Sequence, residues 1–186
     1  QKNLSIDGIE LDKEIVKFAG NYFDYDIPTL NLYHQDGRMF LRKNTEKYNS
    51  LVLDAFQELE ITPHLSSLEF FQLAAEDIAD SGLLAVNVIT GSFENSQYQR
   101  LLATIQREFQ SVWDLQIPNS KNHMILASKK DLDLLEELET IEINDKLKKL
   151  RHYASTNFVE TPAITAKMIT DDQPLSQVLF DTMAYF

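Results

Sequence analysis

The stretch SSLEFFQLAAEDIADSGLLAVNVI, residues 66–89 of a chain of 186, decides the fold class. Its first part has apolar residues at helical spacing after Ser66, with Glu69 three positions later as in a capping box. The Ser81-Gly82 pair predicts the end of that helix. Residues 83–89 are the most apolar run of the chain, which is typical of a central strand covered on both faces. A helix followed by a buried strand indicates an α/β fold.

The same alternation of strands and helices extends outward from this stretch in both directions. Strands are predicted at residues 4–11, 30–34, 50–53, 83–89, 112–117 and 123–128. Helices are predicted at residues 13–23, 37–42, 96–109, 131–142 and 146–153, besides the one that begins at Ser66. This order predicts a mostly parallel sheet covered by helices, with an antiparallel closing strand after the turn at Pro118-Asn119-Ser120.

Composition excludes several classes of function. Seventeen Lys and Arg against 29 Asp and Glu give a net charge of −12, which disfavours nucleic acids and anionic membranes as partners. The absence of cysteine rules out disulfides and thiolate metal sites, and it fits a cytoplasmic location. No run reaches the roughly 20 apolar residues that span a bilayer. Because Gln1 replaces an initiator Met and no leader precedes Ile6, we expect the chain to begin inside a longer protein.

Acidic residues stand at or just after the ends of the first three predicted strands. They are Glu10, Asp36 in an Asp-Gly pair with Gly37, and Asp54. Ligands of doubly wound sheets bind beyond the carboxyl ends of the strands. One acid there can accept the two ribose hydroxyls and another an adenine amino group, so the series predicts a nucleoside pocket. The alternatives are a surface acid near a helix start for Glu10 and a cap of the following turn for Asp54.

These segments resemble a known family when three further stretches are added. The stretches are PHLSSLEFF at 63–71, DSGLLAVN at 80–87 and TDDQP at 170–174. In order and spacing they resemble the spermidine synthase family of polyamine aminopropyltransferases, in its spermidine-synthase-like branch, from about residue 6 to about residue 175. The resemblance implies the Rossmann-like fold of the S-adenosylmethionine-dependent methyltransferases.

The resemblance also implies a role for each matching residue. Glu10 matches the acid that holds the ribose of decarboxylated S-adenosylmethionine, and Asp36 with Gly37 matches the Asp-Gly pair that meets the adenine. Asp54 matches the aspartate that opens the catalytic motif. Gln57 stands where polyamine-making members have a second aspartate, which binds the attacking amine and helps to remove its proton. A glutamine amide can orient an amine but cannot accept its proton.

The family's catalytic domain opens with a strand and a Gly-rich loop, and neither is found among these residues. The five glycines include no G-x-G arrangement. We therefore expect the first strand and its loop to lie before Gln1. The predicted organisation is a truncated Rossmann-like catalytic domain at residues 1–130 and a helical extension at 131–186, packed on the same domain.

Two functions remain open at this point. The first is a transferase with decarboxylated S-adenosylmethionine or S-adenosylmethionine as donor and a small amine as acceptor. In that case we expect activity in the full-length parent and none in this fragment alone. The second is a non-catalytic binding or dimerisation module, with a homodimer as candidate assembly.

His64 and His123 are interpreted as structural because neither has an evident carboxylate partner, and no metal site is predicted. Asp171-Asp172 fits either charge near the active site or the start of a helix at 173–185.

Overall fold

The computed structural model describes residues 4–23, 29–57, 60–90 and 93–174. The chain divides into two compact units, Gln1–Thr45 and Glu46–Phe186. Among the described residues, no helix combines the length and the apolar character that crossing a membrane requires.

The first unit is a β-α-β element followed by a short helix. Its elements are β1 (Ile6–Glu10), α1 (Lys13–Tyr22), β2 (Leu30–His34) and α2 (Gly37–Leu41). The two strands pair in parallel, from Ile6 opposite Leu30 to Glu10 opposite His34. Parallel neighbours need a crossover connection, which α1 supplies. The two strands and the two helices predicted here are confirmed.

Helix α1 begins as the sequence predicts but keeps much of its apolar face in contact with solvent. The Asp12 carboxylate accepts a hydrogen bond from the Glu14 backbone N–H at 2.8 Å and so caps the helix. On the apolar face Ile15 is 55% exposed, and Phe23, which follows the last residue of the helix, is 72% exposed. A pair of strands offers a helix only a narrow surface, so within this unit α1 buries little of its apolar stripe.

Within the described residues, the second unit contains a five-stranded mixed sheet and four α-helices. Its elements are β3 (Tyr48–Leu53), β4 (Phe56–Gln57), β5 (Glu60–Ile61), α3 (Leu68–Asp77), β6 (Ile78–Ile89), α4 (Ser96–Ile105), β7 (Ser111–Gln116), β8 (Asn122–Ser128), α5 (Leu134–Thr140), α6 (Lys148–Asn157) and β9 (Val159–Glu160). The strand order is β3-β6-β8-β7-β9, and β4 pairs only with β5. β3 and β6 are parallel, whereas β8 is antiparallel to both of its neighbours, β6 and β7. The α/β class with an antiparallel closing strand is confirmed.

The helix in the stretch 66–89 ends earlier than predicted. α3 stops at Asp77 and β6 begins at once with Ile78, so Gly82 lies inside a strand and the predicted stop is wrong. A Cβ on Gly82 would lie 2.8 Å from the Tyr48 carbonyl oxygen and 3.0 Å from that of Asn49. The glycine is therefore required where β3 approaches β6 closely, beside an irregularity in their register.

The start of α3 also differs from the prediction by one residue. The N-cap is Ser67 and not Ser66, because the Ser67 hydroxyl accepts the Phe70 backbone N–H at 3.3 Å. Glu69, the predicted capping-box partner, instead accepts the backbone N–H of Asp171 at 3.0 Å. Two serines in succession satisfy the cap pattern equally well, so only the structure decides between them.

The core lies between α3, α4 and one face of the sheet. Alternate residues of β6 point into it, and α4 contributes the stripe that helical spacing predicts. The β6 residues are Leu84, Val86 and Val88, the stripe of α4 is Tyr98, Leu101, Leu102 and Ile105, and Phe109 lies beyond the helix, which ends at Ile105 and not at residue 109 as predicted; all are at most 2% exposed. The intervening odd-numbered residues of β6 are half-buried on the opposite face. β6 is an internal strand between β3 and β8, but the middle strand of the five is β8, and β6 is fully covered on one face only, so the prediction of a central strand covered on both faces holds in part.

The described residues beyond 130, which are 131–174, belong to the second unit and contact its sheet. β9 extends the sheet by pairing with β7, with Trp113 opposite Glu160. The Tyr153 hydroxyl of α6 donates to the Gln116 carbonyl oxygen at 2.9 Å. A division of the chain at residue 130 stays a prediction. The helix considered for 173–185 falls, from residue 175 onward, outside the described residues.

Candidate functional site

Asp54 lies at the carboxyl edge of the five-stranded sheet and is bound by an amide from the neighbouring strand. The parallel register places Leu53 opposite Val86, so the next residue of each chain segment, Asp54 and Asn87, meets its neighbour at this edge. Asn87 Nδ2 donates to Asp54 Oδ1 at 2.9 Å. The Asp54 side chain is exposed and therefore open to a solute.

A second amide extends this arrangement onto a third strand. Asn122 opens β8 opposite Ile89 and lies diagonally across from Asn87, whose direct partner is Met124. Diagonal neighbours on one face of a sheet are within reach of polar side chains. Asn122 Nδ2 donates to Asn87 Oδ1 at 3.3 Å. Asn122, Asn87 and Asp54 thus form a hydrogen-bonded series, called here the edge relay.

Glu10 and Asp36 lie at the carboxyl edge of β1 and β2 in the first unit. Glu10 is the last residue of β1, and its Oε1 accepts the Asp12 backbone N–H at 2.8 Å. Asp36 follows β2 and caps α2, with Oδ1 accepting the Met39 backbone N–H at 2.9 Å. Each carboxylate has a local structural role, because each is held in place by the backbone N–H group from which it accepts a hydrogen bond.

The other two candidate residues are placed by the backbone. Gly37 opens α2, and a Cβ added there would meet no described atom within 4 Å, so packing does not require a glycine. Gln57 lies in β4, opposite Glu60 of β5. Glu10, Asp36 and Gly37 belong to the first unit, whereas Asp54 and Gln57 belong to the second. Their roles in binding and catalysis stay predictions.

A buried polar cluster on the α4 side of the sheet was not foreseen from the sequence. The Tyr98 hydroxyl donates to Asp114 Oδ1 at 2.8 Å, and His123 Nδ1 lies 2.9 Å from both oxygens of the same carboxylate. The expectation that His123 has no carboxylate partner is therefore wrong, although its structural interpretation fits. The detectable signal was Asp114 itself, since a charge in an otherwise apolar strand requires a buried partner.

The three side chains of this cluster are buried, and for Tyr98 burial determines the protonation state. Tyr98, Asp114 and His123 are 0%, 7% and 2% exposed. Burial, the negative charge of Asp114 and the hydrogen bond to it raise the pKa of Tyr98 far above its ordinary value of 10.0. The phenol therefore stays protonated as a donor. Among the described residues, His123 Nε2 is buried and has no hydrogen-bond partner.

The late Asp171-Asp172 pair lies against the start of α3 or within its own turn. Asp171 accepts the Ser67 hydroxyl at 2.6 Å, and Asp172 accepts the Thr170 hydroxyl at 2.6 Å. The Asp171 contact ties a segment distant in sequence to the start of α3, whereas the Asp172 contact is local. Within the described ranges no group of three His, Asp or Glu side chains is arranged to hold a metal ion.

Comparison with known proteins gives relatives of one kind. No protein-family model matches the chain. Over 131 residues, 68% of its length, the chain is 33% identical to the probable polyamine aminopropyl transferase of Bifidobacterium longum. It covers 29% of that protein, so the chain spans less than a third of this curated relative.

Solved structures show the same fold. A probable spermidine synthase from Corynebacterium glutamicum superposes with a TM-score of 0.67 at 16% identity, over 89% of this chain and 63% of the other. Human methyltransferase-like protein 13, solved in complex with SAH, gives a TM-score of 0.63 at 16% identity, over 77% of this chain and 76% of the other. Identities this low show the fold alone, and that fold is the methyltransferase-like one expected from the resemblance. Over about 68% of its length the chain is a homologue of the polyamine aminopropyltransferases, and it shares the fold of the spermidine synthases.

Proposed function

We propose that the protein is a spermidine-synthase-like transferase that moves an aminopropyl group from an S-adenosylmethionine-type donor to a polyamine or a related small nucleophile. The observation that carries this proposal is the 33% identity to the Bifidobacterium longum polyamine aminopropyl transferase. The acidic residues at the carboxyl ends of β1, β2 and β3 support it, because donor and acceptor are both cations.

The chemistry asks the protein mainly to position two reactants. The acceptor nitrogen attacks the carbon next to the sulfonium sulfur, in line with the bond that breaks. A nitrogen–carbon bond forms, and the carbon–sulfur bond breaks with its electron pair left on sulfur as a neutral thioether. One proton is released to water, because the acceptor ammonium must lose it before attack. Correct placement supplies much of the rate in such a bimolecular step.

Glu10 and Asp36 are the proposed donor-binding residues, together with Gly37. A carboxylate accepts two hydroxyl donors at once, which suits the paired hydroxyls of a ribose for Glu10. Asp36 would accept the adenine amino group. The resemblance favours decarboxylated S-adenosylmethionine, whose aminopropyl arm carries no carboxylate to repel an acidic site. The methyltransferase-like neighbour with SAH supports a donor of this general type.

Asp54 is the proposed acceptor-binding residue, together with Gln57 three residues later in the sequence. Asp54 is exposed at the sheet edge and held by Asn87, so its carboxylate can pair with an ammonium group. Gln57 would orient the amine through its amide. Since an amide cannot take up a proton, the proton would leave through Asp54 to water.

Gln57 also favours a second candidate function, a non-catalytic member that retains the fold as a binding or dimerisation module. Such a protein would bind the nucleoside donor without transferring its aminopropyl group. The homodimer belongs to this second proposal. A cytoplasmic location is proposed for either function, since a sequence without cysteine needs no oxidising compartment.

Calorimetry on the protein at its full natural length tests the proposal. Decarboxylated S-adenosylmethionine and methylthioadenosine should both bind, and the absence of binding to either would contradict the donor site. Conversion of putrescine to spermidine then separates the two candidates. Turnover excludes the non-catalytic module, whereas donor binding without turnover of any diamine supports it.

A further inference from the structure

We infer that Asn122 is a positioning residue of the acceptor site and acts on the Asp54 carboxylate through the side-chain amide of Asn87. The inference rests on the proposed function, because it takes an acceptor amine as the ligand of Asp54. It concerns the edge relay, in which side chains from the ends of β3, β6 and β8 are joined by hydrogen bonds of 2.9 and 3.3 Å.

The orientation of the Asn87 amide follows from its two hydrogen bonds. An asparagine side chain has a donor end and an acceptor end, whereas an ionised carboxylate only accepts. Asn122 presents its NH2 group to Asn87 Oδ1, so the NH2 group of Asn87 is directed to Asp54. If the Asn87 amide turned over, its carbonyl oxygen would face the carboxylate and its NH2 group would face another NH2 group. Asn122 therefore selects the orientation that Asp54 needs.

Asn122 is itself held by hydrogen bonds of its backbone. Its backbone N–H donates to the Ser120 hydroxyl at 2.8 Å, and its carbonyl accepts the Ile117 N–H at 2.8 Å. The next residue, His123, points to the opposite face of the strand and is buried against Asp114. The start of β8 is thus held by backbone hydrogen bonds and by the buried His123 side chain. The backbone from which the Asn122 amide extends is therefore held in place.

Holding the Asp54 side chain in one orientation should strengthen ligand binding. Asp54 is exposed and follows the last residue of β3, so without a partner its side chain would sample several rotamers. Immobilising such a side chain on binding has a cost that a preorganised site avoids. We expect the loss of the Asn122 amide to weaken acceptor binding about 3- to 10-fold, with donor binding unchanged.

The experiment compares Asn122→Ala, Asn87→Ala and the double variant in the full-length protein. The putrescine KM should rise in each single variant, kcat should change less, and methylthioadenosine affinity should stay at its original value. If Asn122 acts through Asn87, adding Asn122→Ala to Asn87→Ala gives no further rise. Gln110→Ala, which removes an exposed amide elsewhere on the same unit, should leave all three quantities unchanged.

If Asn122→Ala raises the putrescine KM by the same factor in the Asn87→Ala background as in the unsubstituted protein, the inference is overturned. It is also overturned if Asn122→Ala leaves the putrescine KM unchanged. The NH2 signals of the Asn87 side chain, followed by nuclear magnetic resonance, need no substrate and should shift in Asn122→Ala. Asn122→Ser gives the same measurement should the alanine variant fold poorly. Absence of putrescine binding in the unsubstituted protein contradicts the proposed function. Loss of putrescine binding in Asp54→Ala but not in Asn122→Ala contradicts the present inference alone.

Discussion

Asp114 and His123 are diagonal neighbours on the antiparallel strands β7 and β8, with Nδ1 of the imidazole 2.9 Å from both carboxylate oxygens. Tyr98 joins them from α4 by donating its hydroxyl to Asp114. The three side chains link the helix to the two strands in the buried layer. Because a buried carboxylate is costly without donors, each partner contributes to the stability of the second unit.

The hydroxyl of Tyr98 makes a measurable contribution to stability. Tyr98→Phe keeps the ring and removes one of the donors to the buried Asp114. We expect the free energy of unfolding in urea to fall by about 1–3 kcal/mol. Tyr153→Phe is the matched control, since that hydroxyl donates to a backbone carbonyl nearer the surface. Equal losses in the two variants would show that the buried carboxylate does not depend on Tyr98.

Tyr98 also makes stability depend on alkaline pH. Burial and Asp114 raise the pKa of its phenol in the folded protein above the ordinary 10.0. Below pH 10 the phenol is protonated in both states, and its contribution to stability is complete. Above that pH the unfolded chain loses the proton and the folded protein keeps it, so stability falls by up to about 1.4 kcal/mol per pH unit. Unfolding on the alkaline side should show a shallower decline in Tyr98→Phe than in the unsubstituted protein; parallel declines would contradict the assignment.

Gly82 is a site where a single methyl group should be costly. A Cβ at this position approaches the backbone oxygens of Tyr48 and Asn49 to 2.8 and 3.0 Å, and strand backbone cannot move aside as a flexible side chain can. Gly82→Ala should lower the free energy of unfolding by about 1–3 kcal/mol. Gly37→Ala, where a Cβ meets no described atom within 4 Å, serves as the control and should change it far less. A Gly82→Ala protein as stable as Gly37→Ala would show that β3 and β6 can separate without cost.

The sequence specifies local structure well because local structure depends on near neighbours. The period of the apolar residues located β2 and the stripe of α4, and Asp12 marked the start of α1. The errors at Ser66 and Gly82 arise where two local patterns compete. A Ser-Gly pair is compatible with the end of a helix and also with a strand that packs closely against its neighbour. Only the approach of β3 distinguishes the two structures.

Contacts between strands are harder to foresee than the strands themselves. The pairing of Asp54 with Asn87 depends on the register of β3 against β6, which involves an irregularity near Tyr48. The cluster of Asp114 and His123 depends in the same way on where the closing strands pair. A shift by one residue would turn these side chains to the other face of the sheet. Acids at strand ends were therefore predictable as candidates, but their partners were not.

Asp36 has two roles that one substitution can separate. Its carboxylate caps α2 in the structure and is proposed to meet the adenine of the donor. Serine is a good N-cap residue but carries no negative charge. Asp36→Ser should therefore keep the unfolding midpoint and weaken methylthioadenosine binding about tenfold or more, as measured by calorimetry. Asp12→Ser makes the same exchange at the cap of α1 and should not affect binding. Unchanged affinity in Asp36→Ser would leave Asp36 with its cap role alone.

If the proposed transfer takes place, we expect Gln57 to limit its rate. It lies three residues after Asp54, at the position where the resembled polyamine-making enzymes have an aspartate. Gln57→Asp supplies a group that can accept the amine proton, and general-base catalysis contributes about 10² to 10⁴ in rate. We expect kcat for diamine acceptors to rise about tenfold or more, with methylthioadenosine affinity unchanged. Gln116→Asp, which adds a carboxylate at the exposed end of β7, controls for charge alone. A rise confined to Gln57→Asp identifies proton removal as the step that glutamine impairs, whereas equal rates in all three proteins would mean that Gln57 lies outside the path of the proton.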